Sequence, residues 1–242
     1  MARSILAITG ADRVHFLQGL ITNDVAHAAG GIIYAALLTP QGKYIADFFV
    51  VGEPERLLID VDAALAPALA QRLGMYRLRA AVQIVPTDLQ VSCGTGPAPQ
   101  GALADPRNPE MGWRHYGAGD LGDATDWEAL RVSLLVPQSG VELGPETYIL
   151  EAGFERLHGV DFRKGCYVGQ EVTARMKHKT ELKKGLVRVA VEGPAAPGDE
   201  ILAEGKVAGV LHTVAGDRAI AYLRMDRAGG EMRAGEAVVR LE

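Results

Sequence analysis

Residues 163–175 read Arg163-Lys164-Gly165-Cys166-Tyr167-Val168-Gly169-Gln170-Glu171-Val172-Thr173-Ala174-Arg175, a cysteine bracketed by two glycines and followed at once by a helix-compatible run. A helix starting near Gly169 would set the Cys166 sulfur close to free backbone N–H groups and the positive end of the helix dipole. Both favour a thiolate, and Lys164 adds to them. Glu171 opposes by like charge, unless it pairs with Arg175 one turn on. The competing reading is plain packing, since unpaired cysteine is among the residues most often buried. Cys166 is thus either a reactive thiolate or a small core residue.

The rest of the chain narrows the chemistry. It has 242 residues, 48% of them hydrophobic, and a formal charge of −5, which gives no global reason to coat nucleic acid. Cys93 and Cys166 are the only cysteines, which excludes a disulfide framework and a four-cysteine zinc or iron–sulfur site within one chain. Cys93 ends an apolar strand and reads as core. The six histidines show no metal-ligand spacing, and no metal site is expected. No P-loop, G-x-G-x-x-G, H-E-x-x-H or G-x-S-x-G occurs. The start lacks a signal-peptide pattern and no apolar run approaches the ~18 residues of a membrane span. A soluble protein of the reducing cytoplasm, with no membrane partner, is the expectation.

Periodicity predicts strands at Arg3–Thr9, Ile32–Leu38, Tyr44–Val51 and Arg56–Val61, with Thr39-Pro40-Gln41-Gly42-Lys43 as a hairpin turn. A helix follows Gly10-Ala11-Asp12, and another spans Ala63–Leu78 with Arg72, Arg77 and Arg79 at its end. Two further strands are expected at Val82–Pro86 and Leu89–Cys93. Residues 94–122, dense in Gly, Pro, Asn and Asp, read as a linker interrupted by a strand at Trp113–Tyr116. Asp123–Leu135 and Glu146–Leu157 read as helices. Short strands at 184–191, 200–203, 207–214, 219–223 and 237–241 predict a small terminal β-barrel or sandwich.

Two polar features stand out beyond Cys166. Residues 163–184 hold seven Lys or Arg against two Glu, a basic stretch on an acidic chain that suits a polyanion such as a glutamylated cofactor or RNA. A solvated helix face explains it as well, and no RNA-module motif accompanies it. Asp47 is an acid inside the apolar run Tyr44-Ile45-Ala46-Asp47-Phe48-Phe49; it either faces a pocket or points outward from an alternating strand, and outward placement is the default.

Lys164-Gly165-Cys166-Tyr167-Val168-Gly169-Gln170-Glu171 resembles the K-G-C-[YF]-x-G-Q-E signature of the YgfZ family, folate-binding proteins linked to iron–sulfur cluster assembly or repair. Gly10-Ala11-Asp12, Phe16 through Val25, Leu38 through Lys43 with Asp47, and Gly209 with Tyr222-Leu223-Arg224 resemble the same family, so the likeness covers most of the chain. The resemblance implies an α+β, three-domain aminomethyltransferase-like fold with antiparallel sheets, helices and a small C-terminal β-barrel. The implied segments are 1–95, 96–182 and 183–242. It also implies tetrahydrofolate, or a one-carbon derivative, held between domains, with Cys166, Lys164 and Asp47 as working residues. Asn23, Asp24, Tyr167, Gln170, Glu171 and Arg175 are the implied cofactor-binding positions. Partners would be the iron–sulfur assembly machinery or its client enzymes, and nucleic acid is not expected. Where the related T-protein strand carries an acidic pair, this chain reads Ala46-Asp47, which weakens an aminomethyl-transfer reading. Two alternatives stand beside the assembly function: a folate-dependent aminomethyltransferase using Asp47, and a non-catalytic protein docking a partner or tRNA through Lys177, Lys179 and Lys183.

Overall fold

The computed structural model describes residues 2–178 and 182–242, so Lys179 and Glu181 of the basic stretch lie outside the described residues. The chain forms two compact units, each discontinuous in sequence. One comprises residues 1–125 and 154–174, the other residues 126–153 and 175–242.

In the first unit, strands β1 (Arg3–Thr9), β2 (Ile32–Leu38), β3 (Tyr44–Gly52), β4 (Arg56–Asp62) and β5 (Gln83–Pro86) form one sheet in the order β2-β3-β4-β1-β5. All pairings are antiparallel. Helices α1 (Arg13–Gln18) and α2 (Ala66–Tyr76) lay Phe16, Leu17, Leu69 and Leu73 into a core with Ile8, Ile33, Leu37, Phe48, Val50 and Ile59. A second sheet of β6 (Gln90–Gly94), β7 (Leu103–Ala104) and β8 (Trp113–Gly117) accompanies it. Ile5, Ala7, Val51 and Leu58 form a separate apolar cluster against which Leu89, Val91, Leu103 and Tyr116 pack. The first sheet is therefore covered on both faces, which is why β2 to β4 are apolar nearly throughout.

That double coverage corrects the expectation for Asp47, which is only 6% exposed. Its register shows how it got there. β2 pairs Leu37 with Ala46 but Leu38 with Tyr44, so Ile45 is an extra residue in β3. Residues three apart in a regular strand face opposite ways; one inserted residue puts Tyr44 on the same face as Asp47. The Tyr44 hydroxyl accordingly donates to Asp47 Oδ1 at 2.6 Å and the Tyr34 hydroxyl to Oδ2 at 2.9 Å.

The same face carries an ionic layer. Asp60 on β4 is fully buried and receives Arg3 Nε at 2.6 Å, Arg114 Nη2 at 2.6 Å and the Tyr116 hydroxyl at 2.9 Å. Arg107 makes a bidentate pair with buried Asp105, at 3.0 and 2.7 Å. Arg114 and Arg107 also cover the Phe49 ring, at 3.9 and 4.8 Å from its centroid. Burial alone would raise the carboxyl pKa of Asp60, but Arg114 and then Arg3 outweigh it and hold it below the usual range. At Asp105 burial is likewise outweighed, by Arg107. The segment expected to be a linker is thus part of the fold. Its turn residues are real, but Asp105, Arg107 and Met111 are anchored, and Gly112 (φ +69°) lies so close to the Gly94 carbonyl that a Cβ would come within 2.1 Å of it.

Two helix expectations also change. α3 is confined to Trp127–Ser133, because Asp126 caps it while Asp123 bonds the backbone of Thr95 and Gly96. Glu146–Leu157 makes successive turns and no helix. Its buried Ile149, Leu150, Phe154 and Leu157 mimic helical spacing, but Gly153 takes φ +76° and interrupts the hydrogen-bond ladder.

In the second unit, β9 (Lys184–Glu192), β10 (Glu200–Ala203), β11 (Lys206–Ala215), β12 (Arg218–Arg224), β13 (Met232–Ala234) and β14 (Ala237–Leu241) close into a barrel in the order β10-β11-β12-β9-β14-β13. Alternating Val189, Val191, Leu211, Ala219, Ala221, Leu223 and Val239 fill its interior. Arg131 on α3 bonds Glu142 at 2.9 Å and also bonds Thr213 on β11, tying the helix to the barrel.

Removing the Asp60 carboxylate leaves two buried guanidinium groups without their counter-ion, and Asp60→Ala should cost about 3 to 5 kcal/mol in urea unfolding. Asp60 and Asp105 both bind protons less readily folded than unfolded. Their stabilisation is therefore complete above the unfolded carboxyl pKa, ~4, and is lost as the pH falls through the lower folded values. The urea midpoint should drop steeply below about pH 4 and do so less in Asp60→Ala. Equal acid sensitivity of the two proteins would contradict this account.

Candidate functional site

The signature loop sits against the hairpin turn between β2 and β3. Gly169 (φ +84°) approaches that turn so closely that a Cβ would lie 2.6 Å from the Thr39 carbonyl oxygen and 3.2 Å from Gly42 Cα. Gly42 (φ +76°) faces back, with Val172 Cβ 2.9 Å from where its own Cβ would be. The glycines of two motifs far apart in sequence are thus two sides of one backbone contact, a requirement that no side chain can meet.

Helix α4 (Gln170–His178) begins one residue after Gly169. Gln170 Oε1 accepts from the Tyr167 N–H at 3.2 Å, closing the turn before the helix. Cys166 is exposed. Lys164, expected to support the thiol, points elsewhere: its Nζ donates to the carbonyls of Gln18 at 2.7 Å and Ile21 at 2.5 Å, and lies 5.1 Å from the Tyr167 ring centroid. Those carbonyls close the C-terminal end of α1, where a cation is favoured. Burial pushes the Lys164 amine down to about 8, with Asp24 and Asp161 opposing. Among the described residues no bond joins Lys164 to Cys166. Glu171 and Arg175 are exposed on α4. Cys93 is half-buried rather than core, and burial pushes its thiol up.

The Asn23-Asp24 pair serves as an internal fastener. Asn23 is 7% exposed; its amide donates to the carbonyls of Tyr34 at 2.8 Å and His158 at 2.7 Å. Asp24 accepts from Ala26 N–H at 2.9 Å and caps a 3-10 turn over Val25–Ala28. Thr22 donates to the Gly159 carbonyl at 2.6 Å. Thr22 and Asn23 together hold His158 to Asp161 against the first sheet.

Asn23, His158 and Asp161 also line an open cleft of about 390 Å³ within the first unit, within the ~300 to 1,000 Å³ range of small-molecule sites. Its lining comes from 23–34, from Pro106, and from 155–163, and includes Asn23, Tyr34, Glu155, His158, Asp161, Phe162 and Arg163. His158 takes φ +54°, an uncommon backbone state for a residue with a side chain. The Arg163 side chain is 93% exposed, with Nε 4.0 Å from Asp161, so its charge stands at the mouth. Tyr34 connects this cavity to Asp47, and Phe154 stacks on its ring at 5.0 Å. Burial, and then Asp47, raise the Tyr34 pKa, so this phenol stays protonated and donates.

Of the residues expected to matter, Asn23 lines the cavity, Asp47 lies behind it through Tyr34, and Cys166 lies three residues beyond Arg163. The reading of the sequence missed Tyr34, Glu155, His158 and Asp161. Only Tyr34 left a trace, as the single polar side chain in an apolar strand; the others fall in a run expected to be helix or loop. Among the described residues no cluster of His, Cys, Asp or Glu could hold a metal ion, and no helix is long and apolar enough to cross a membrane.

Residues 183–242 match the family model described as the CAF17 C-terminal beta-barrel domain. The chain is 30% identical to the mitochondrial iron-sulfur cluster assembly factor IBA57 of Mus musculus, over 95% of this chain and 78% of that protein. It is equally identical to the Homo sapiens protein of the same name, over the same shares. The Mycosarcoma maydis homologue is 31% identical over 76% of this chain and 54% of its own length. In structure the chain is similar to the glycine cleavage system aminomethyltransferase T of Bartonella henselae, with a TM-score of 0.79, 14% identity, and coverage of 98% of this chain and 81% of that one. That likeness shows the fold, and the sequence relatives show the lineage: the chain belongs to the IBA57/CAF17 (YgfZ-type) family of iron–sulfur cluster assembly factors.

Proposed function

We propose that this protein serves in iron–sulfur cluster assembly as a folate-binding accessory factor of the cytoplasm, with Cys166 as the group it presents to the assembly machinery or to client enzymes. The observation that carries the reading is the pairing of an open cleft of small-molecule size with an exposed cysteine on one continuous stretch, His158 to Cys166. The polar and aromatic lining of the cleft supports a reduced folate as the ligand. Carboxylates of Asp161 and Glu155 suit the amino and ring N–H groups of a pterin, Phe162 offers an aromatic face, and Arg163 suits the glutamate tail. Bound tetrahydrofolate would supply a pterin able to carry a one-carbon unit. The chain's own part is to orient that ring and to hold Tyr34 as a hydrogen-bond donor toward Asp47. Asn23 shapes the wall rather than reading the ligand, because both amide hydrogens already bond carbonyls.

Aminomethyl transfer is the less favoured reading. Ala46 lies in the apolar core on the other side of the sheet, and both Asp47 oxygens already accept tyrosine hydroxyls. Docking through the basic stretch keeps exposed Lys177 in its support, while Lys179 lies outside the described residues.

Calorimetric titration of tetrahydrofolate should show one site, weakened about tenfold in each of Asp161→Ala and Arg163→Ala, as expected for one charge-assisted hydrogen bond each. Absence of binding would remove the cofactor from the proposal. Cys166→Ala should keep folate affinity unchanged and yet lose rescue of cluster-dependent enzymes in a deletion strain; full rescue would take the cysteine out of the function. The Lys164 amine should acetylate with a half-maximal pH about 8, read by peptide mass spectrometry, whereas exposed lysines should follow their ordinary value near ~10.4. A profile for Lys164 that matches theirs would refute the buried placement.

A further inference from the structure

Helix α2 and the loop after it carry a surface that neither the cavity nor the signature loop uses. From Ala63 to Thr87 the chain has no Asp or Glu, and its charged residues are Arg72, Arg77 and Arg79. The inner face of α2 buries Ala66, Leu69 and Leu73. A surface helix ordinarily turns charged residues outward on the opposite face. Here that face is Pro67, Ala68, Gln71, Gly74 and Met75, all exposed and none charged. Met75 is 58% and Leu78 89% exposed, and open space surrounds the position a Gly74 Cβ would take. Leu78 adopts φ +41°, a strained state for a leucine, and stands out between exposed Arg77 and Arg79. A cleft of about 560 Å³ opens beside it, lined by Arg77 to Gln83 and Thr9 to Ala11. The loop is braced rather than loose: Asp12 Oδ2 accepts from Ala81 N–H at 2.8 Å, and Gly10 (φ +103°) lies so close to the Ala81 carbonyl that a Cβ would come within 2.0 Å.

We propose that the outer face of α2 together with Arg77-Leu78-Arg79 is a docking surface for an acidic amphipathic helix of a partner protein. The small residues Ala68 and Gly74 allow another helix to approach closely, Met75 and Leu78 provide apolar anchors, and the three arginines meet carboxylates at the rim. Charge complementarity selects this occupant. A second copy of the chain seated face to face would bring six arginines together with no acid between Ala63 and Thr87 to offset them. Anionic membranes call for clusters of about 4 to 8 basic residues, more than this face holds. Three arginines beside an uncharged face likewise give a nucleic acid few phosphate contacts and no stacking partner.

The test uses the full chain and two labelled helical peptides of equal length, one built from Leu and Glu, the other from Leu and Lys, read by fluorescence anisotropy. The Leu/Glu peptide should bind in a salt-sensitive way and the Leu/Lys peptide should not. Arg77→Glu with Arg79→Glu should weaken binding by about tenfold, the scale of two exposed ion pairs. Leu78→Asp should do the same without lowering the melting temperature, since this side chain is 89% exposed and aspartate tolerates the positive φ better than leucine. Equal binding of both peptides, or binding indifferent to these substitutions, would overturn the proposal. So would sedimentation of the protein with phosphatidylserine vesicles, or dimerisation in analytical ultracentrifugation, if either is abolished by the same substitutions.

Discussion

A carboxylate closed off from water between two guanidinium groups is the constraint on which the first unit depends. Asp60 takes Arg3 from a neighbouring strand of its own sheet and Arg114 from the second sheet, so the bond that neutralises it also joins two sheets. Apolar packing of Ile5, Ala7, Val51 and Leu58 against Leu89, Val91 and Leu103 also holds the sheets together, and the ion pairs add a directional requirement to it. Ionic groups buried here tolerate few arrangements, since any that leaves one unpaired costs several kcal/mol. The guanidinium groups of Arg114 and Arg107 then spread over Phe49, which puts aromatic and charged side chains on the same face as Tyr34 and Asp47. The polar floor behind the cavity follows from the way the sheets are joined.

How much of this was legible in the sequence depended on whether the controlling interaction was local. The strands β1 to β4 and the hairpin at Thr39 to Lys43 were, because apolar runs punctuated by Pro40 and Gly42 leave few other local solutions. The terminal barrel was too, for alternation between Gly-containing turns is a local signal. The place of Asp47 was not. It depends on one inserted residue at Ile45 and on a covering layer recruited from residues 103–117, neither of which has a signature in Tyr44 to Phe49. The turns of 146–157 failed in the opposite way: the apolar spacing was helical, and the left-handed Gly153 decided against it. In residues 94–122, Gly and Pro marked turns correctly, but turn chemistry does not tell a linker from a buried segment whose charges find partners.

The candidate site divides along the same line. The signature marked the loop and the position of Cys166, and it marked Gly42 and Gly169 without saying that they meet. Lys164 was recognisable as part of a motif, yet its amine closes the end of α1 instead of serving the sulfur. In the structure that amine seats the loop, through its bonds to the carbonyls of Gln18 and Ile21. The acids and histidine of the cavity had no such marker, because they become neighbours only when Thr22 and Asn23 tie 158–161 to the sheet.

What results is a loop held at both ends and open in the middle. On one side Lys164 is bonded to two carbonyls of the first unit; on the other Gly169 lies against the hairpin and Gln170 secures the Tyr167 N–H. Cys166 falls between these anchors with its side chain in solvent. An exposed thiol on a mobile loop would pay conformational entropy on each encounter, whereas a braced one has that cost removed in advance. That bracing holds the sulfur at a set position, as the proposed encounter with a partner's group requires. Asp47, by contrast, is closed off behind the Tyr34 and Tyr44 hydroxyls, so the proposed role rests on the exposed sulfur and not on that carboxylate.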